Sequence, residues 1–145
     1  MANIFRYENT DEAKKAIMSV ILNKDWKQNI CQDKSGNEIQ YYFDRLAIAK
    51  IAQTLPTGMF ESQEVCDNLL QNCILDNIDT IATFVAGKGP LKSITTEYDN
   101  VIGYVVQFVS DTQVSQTPCY NLNMIICRND KTIAGFYVSD FTPVL

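Results

Sequence analysis

The chain has 145 residues, 46% of them hydrophobic and 20% charged, with a net charge of −5. That is the composition of a globular domain long enough to bury its own core, not of a disordered tail. The absence of histidine excludes Ser-His and Cys-His nucleophile pairs, a histidine base and a histidine-ligated zinc.

Asn3–Tyr7 reads as a short first strand. Thr10 is placed to cap a helix over roughly Asp11–Leu22, with Asp11 and Glu12 in the first turn, where carboxylates favour the helix dipole. Ala13, Ala16, Ile17, Val20 and Ile21 give it a buried stripe. A polar stretch, Asn23–Glu38, follows and holds the single tryptophan, Trp26, with Ser35-Gly36-Asn37 as a turn signal. A second helix is expected from about Ile39 to Leu55, stopped by Pro56-Thr57-Gly58. Ser62 can cap a third helix with Cys66, Leu69, Leu70, Cys73 and Ile74 on its apolar face. Asp76-Asn77 breaks the chain, and Ile78, Ile81, Ala82 and Val85 form a fourth helical stripe, with Gly87 as its C′ residue.

After the loop Gly87-Lys88-Gly89-Pro90 the character changes. Ser93–Tyr98, Val101–Val109, Tyr120–Cys127 and Thr132–Val138 are rich in β-branched and aromatic residues and read as strands. Arg128-Asn129-Asp130-Lys131 is a turn that makes the last two a hairpin. Asp111–Pro118 is polar, either a loop or an edge. Helices first and strands later predict an α+β fold, with N-terminal helices packed on a C-terminal antiparallel β-sheet. No linker or internal repeat is visible. A single domain over 1–145 is expected, with a helical part at about 10–87 and a β-rich part at about 92–142.

No run approaches 18 consecutive apolar residues, and the opening residues lack the basic and apolar regions of a signal peptide, so a cytoplasmic protein is expected. Five cysteines are an odd number, and four of them sit beside apolar residues, which favours free, buried thiols in a reducing compartment.

Charge is distributed unevenly. Residues 51–127 hold eight acids and two lysines, Lys88 and Lys92, and 51–87 has no basic residue. Glu61, Glu64 and Asp67 fall on the water-facing side of the third helix, and Asp76 and Asp79 flank the start of the fourth. No basic residue is expected to neutralise them locally. A one-sided field of this kind steers a basic partner and repels nucleic acid.

Motifs for catalysis are weak. Gly87-Lys88-Gly89-Pro90 has part of the composition of a phosphate loop, but proline stands where Ser or Thr is needed and a strand follows instead of a helix. Glu12-Ala13-Lys14 opens a helix and reads as first-turn charge. Cys66 and Cys73, seven apart on one helix face, do not have zinc-knuckle spacing. Glu97 and Asp99 would share one side of a strand, as a carboxylate pair or as a solvated strand end. Trp26 is either a hot spot for a partner or a side chain tucked under its loop. No cofactor, metal or enzymatic activity is expected. Glu61, Glu64, Asp67, Asp76, Asp79, Trp26 and Asp99 are the candidate partner-binding residues.

Four segments carry a family resemblance. They are Asn3-Ile4-Phe5-Arg6-Tyr7 leading into the Thr10 helix, the Asp25-Trp26 loop, the helix Tyr41-Tyr42-Phe43-Asp44-Arg45-Leu46, and the closing strand Ala134-Gly135-Phe136-Tyr137. The arrangement resembles one group of small bacterial immunity proteins, the cytosolic antidotes of contact-dependent growth inhibition, in particular those paired with ribonuclease toxins. The resemblance covers most of the chain. It implies a non-enzyme that binds a cognate, basic nuclease toxin and covers its active site or substrate groove, with neither nucleic acid nor membrane as partner. Other acidic binding proteins, such as a secretion chaperone or a nucleic-acid mimic, share the charge pattern. A small enzyme using Asp, Glu, Tyr or Lys is a third possibility.

Overall fold

The computed structural model describes residues 6–41, 56–110 and 113–145. Among them the helices α1 (Thr10–Ile21) and α2 (Trp26–Ile30) precede a short strand β1 (Thr57–Met59). Two more helices follow, α3 (Gln63–Asp76) and α4 (Ile78–Ala86). The remainder is β2 (Leu91–Glu97), β3 (Gly103–Ser110), β4 (Gln113–Cys119), β5 (Asn121–Arg128) and β6 (Phe136–Val144). The fold is α+β, as the order of apolar patterns predicts, but the strands form two three-stranded sheets, β1-β3-β4 and β2-β5-β6, where one was expected.

Contacts divide the chain into two compact units. The first comprises the described parts of Met1–Ile39, Leu70–Ser93 and Ile125–Asp140. Its core joins α1 to α4: Ala13, Ile17, Val20 and Ile21 are buried on one helix and Ile78, Ile81, Ala82 and Val85 on the other. Each fully buried Ile or Leu contributes about 1.5–3 kcal/mol of transfer free energy. The cap of α1 is Asn9, one residue before the expected Thr10. Its side-chain oxygen accepts from the Glu12 amide at 2.9 Å, a role for which Asn outranks Thr. Gly87 ends α4 with an extended φ of −92°, not as a left-handed C′ residue.

The second unit comprises the described parts of Gln40–Leu69, Ile94–Met124 and Phe141–Leu145. Here β3 pairs antiparallel with β1 (Gly58 opposite Val105) and with β4 (Tyr104 opposite Pro118). Within the expected Asp111–Pro118 segment, the described residues from Gln113 on belong to β4, an edge strand among the described residues, where a proline is tolerated. Phe60 stacks on Phe141 with ring centroids 5.2 Å apart, and Tyr41 meets Phe141 edge-on at 6.4 Å.

Of the expected stop Pro56-Thr57-Gly58, Thr57 and Gly58 belong to β1, and the residues it would terminate lie outside the described residues. The helix expected at 39–55 lies outside the described residues from 42 on, and 39–41 are not helical. Residues 3–5 of the expected first strand and residues 111–112 also lie outside the described residues; Arg6 and Tyr7 are not in a strand. Among the described residues no helix is long and apolar enough to cross a membrane.

Candidate partner-binding surface

The amphipathic spacing of α3 decides where its acids point. Ser62 accepts from the Val65 amide at 3.1 Å and so caps the helix as expected. Cys66, Leu70, Cys73 and Ile74 are fully buried, and Leu69 is half-buried. Glu64, in the first turn, is left exposed, as is Glu61 just before the helix. Asp67 is half-buried and accepts from Gln63 Nε2 at 2.8 Å. These three acids belong to the second unit, together with Asp99, which is exposed in the connection between β2 and β3.

Asp76 and Asp79 belong to the first unit and are exposed. Asp76 is the last residue of α3, at the negative end of a helix with no basic residue in its final turn. Asp79 opens α4, where the dipole favours it. Its carboxylate is 79% exposed and lies 2.9 Å from Lys14 Nζ on α1. Asp79 is thus neutralised locally, contrary to the expectation from sequence. The hydrogen bond to Asp79 and its charge raise the pKa of the Lys14 ammonium.

Trp26 opens α2 and is only 9% exposed. Of the two readings open to it, this burial matches the side chain tucked under its loop. The indole contributes to the first unit's core and presents little surface to a partner.

Sequence reasoning took Arg128 for a turn residue. In the structure it reaches back some forty positions to the end of α4. Nε donates to Gly89 O at 2.8 Å and Nη1 to Val85 O at 2.7 Å; Nη2 donates to Phe84 O, and the guanidinium lies 4.7 Å from the Phe84 ring centroid. Helix α4 has no basic residue in its own last turn, so a strand residue supplies the cation its C-terminus favours. The Gly87–Pro90 loop is held by this guanidinium. No local sequence signal marks either this contact or Lys14–Asp79, because each joins residues far apart in the chain.

The thiols are free. Cys31, Cys66, Cys73 and Cys119 are buried and Cys127 is half-buried. Burial pushes the Cys119 thiol up, away from the reactive thiolate. Cys66 and Cys73 serve the apolar face of α3. Among the described residues no group of three or more Cys, Asp or Glu side chains is gathered as a metal site. Glu97 lies at the end of β2 and Asp99 beyond it, both exposed to solvent.

No protein-family model matches this chain, and no curated protein matches it. Its fold is similar to that of a chain in the crystal structure of a CdiA-CT/CdiI complex from Y. kristensenii 33638. The superposition has a TM-score of 0.55 and covers 85% of this chain and 100% of that one, at 16% sequence identity. Identity at that level speaks to the fold.

Proposed function

We propose that this chain is the immunity partner of a contact-dependent growth inhibition toxin. It binds a basic, ribonuclease-type toxin domain and occludes its active site or substrate groove in the cytoplasm. The observation that carries this reading is the fold shared with a chain of a CdiA-CT/CdiI complex over the whole of that chain. Such a complex has two sides, and charge argues for one of them. A sequence with a pI near 4.6 and no histidine suits a protein that covers a phosphate-binding surface better than one that cleaves RNA. Its carboxylates take the places of RNA phosphates. Long-range attraction speeds encounter, and close charge pairs slow release.

Glu61, Glu64 and Asp67, with Asp99 in the same unit, are the proposed contact acids. Asp76 and Asp79 add to the field from the other unit. Five free thiols fit a reducing compartment. The test begins with affinity capture from the native cell. The captured protein should be a basic toxin domain whose ribonuclease activity this chain abolishes at one-to-one stoichiometry. Reversal of Glu61, Glu64 and Asp67 to Lys should abolish inhibition and growth protection while the fold, followed by circular dichroism, persists. A captured partner without toxic activity, or full protection by the reversed variant, would count against the toxin and the contact acids respectively.

A further inference from the structure

A concavity of about 530 Å³ opens where the outer face of α4 meets the loop before β2 and that strand's first residues. Thr80 and Thr83 line it from the helix, and Lys88, Leu91 and Lys92 from the loop and strand. Its apolar surface comes from Phe84, which is 8% exposed, and from Leu91, which at 58% exposure is an uncovered aliphatic side chain. Lys88 and Lys92 are the two basic residues of the whole 51–127 stretch, and both face this one groove. Among the described residues neither Lys88 nor Lys92 has an ion-pair partner. Asp79 also lines the groove, but its carboxylate is drawn to Lys14 on α1.

We propose that this groove receives an acidic segment of the protein partner, one that places carboxylates beside an apolar side chain. The inference rests on the partner being a protein, as proposed above. Two ammonium groups flanking an exposed leucine and an aromatic edge match carboxylates spaced around one apolar residue. A polyphosphate is a poorer occupant, because it offers no apolar group to cover Leu91 and Phe84. A partner that is basic overall but carries one acidic segment would meet attraction of opposite sign at two places. Charge complementarity at two sites of opposite sign fixes orientation, which a single acidic surface cannot do.

The test uses the full chain, isotopically labelled, titrated by NMR with an N-acetylated, C-amidated peptide Asp-Phe-Glu-Leu. Its neutral counterpart Asn-Phe-Gln-Leu and inorganic phosphate form the comparison arms. The acidic peptide should give saturable shifts confined to the amides of Thr80, Thr83, Lys88, Leu91 and Lys92. The neutral peptide and phosphate should bind about fivefold more weakly or worse, as should the acidic peptide to the Lys88→Glu/Lys92→Glu variant. Several outcomes would overturn the proposal. These are no saturable shift with the acidic peptide, equal binding of the neutral peptide, equal binding of phosphate, or an unaffected double variant. Peptide binding by a Glu61→Lys/Glu64→Lys/Asp67→Lys variant should equal that of the parent chain. The groove and the acidic contact surface therefore fail or stand separately.

Discussion

Arg128 shows how much one side chain can hold. Its planar fork meets two carbonyl groups at the end of α4 and one in the loop beyond it, while its face covers the Phe84 ring. A lysine retains the charge but presents a point donor that cannot span three acceptors. Hydrogen bonds to a charged group contribute about 1.5–3 kcal/mol, and loss of the donor also leaves carbonyls half-satisfied. Arg128→Met, which keeps the apolar stem, should therefore lower unfolding free energy by about 2–3 kcal/mol, and Arg128→Lys by about half that. Urea denaturation, read as a change of midpoint at constant slope, checks both. An unchanged midpoint for the Met variant would mean that water replaces the guanidinium without cost. The sequence put Arg128 in a turn, whereas it is the last residue of β5, and gave no sign of its partners, because periodicity reports on neighbours within a few residues. Trp26 was different: its sequence context allowed both a partner contact and a tucked side chain, and its burial matches the second.

At the scale of elements, α1, α3 and α4 were legible because each declares its buried face locally, whereas the five-residue α2 lay unread in the polar stretch Asn23–Glu38. The stripes of α1, α3 and α4 repeat every three to four residues, and two of the structure's caps, Asn9 and Ser62, stand where polar residues precede those stripes. Strand β1 was not legible. It has three residues, too few for an alternation to register, and it exists through its pairing with β3. Its glycine is needed for close approach: a Cβ on Gly58 would sit 2.1 Å from the Pro143 carbonyl oxygen and 2.7 Å from Thr142 Cγ2. That obstacle is backbone and cannot rotate away. Gly58→Ala should cost about 1–3 kcal/mol and speed amide exchange at Met59 and Val105 before the rest of the molecule. Exchange unchanged at those amides would show that β6 can retreat freely. The end of β6 was underestimated for a related reason. Burial falls on Phe136 and Val138, then on Phe141 and Pro143, so the alternation slips across Ser139-Asp140, where the first unit ends. A strict two-residue period cannot follow a strand through such a slip.

At the scale of the molecule, net charge and the histidine count were legible without any fold, because neither depends on which residues meet. Both make predictions. With no histidine, no side chain has its ordinary pKa between about pH 5 and 8, so the melting temperature should be flat across that window. The acid limb is set by carboxylates. Amide donors in the Asp33 turn, chiefly Asn37, hold that carboxyl below its usual value. A depressed folded-state pKa gives stability that is present above the unfolded value and lost as pH falls through the folded one, so the decline should begin below about pH 4. A midpoint near pH 6.5 would contradict this. The charge asymmetry makes the stronger prediction, and rates separate its two parts. Steering acts over the Debye length, about 8 Å at physiological salt, and counts charges regardless of local pairing. Asp76→Asn and Asp79→Asn should therefore slow association of the captured partner to a similar extent, even though Lys14 already faces Asp79. Neither should change dissociation much if both lie outside the contact. Glu61→Gln, Glu64→Gln and Asp67→Asn should slow association and also speed dissociation, because a contact acid loses its close pair as well as its share of the field. Stopped-flow association from about 50 to 500 mM salt, with dissociation followed by displacement, reads both rates. An association rate indifferent to salt would remove steering altogether, whereas salt-sensitive association with unchanged dissociation at all five positions would keep the field and move the contact surface elsewhere on the chain.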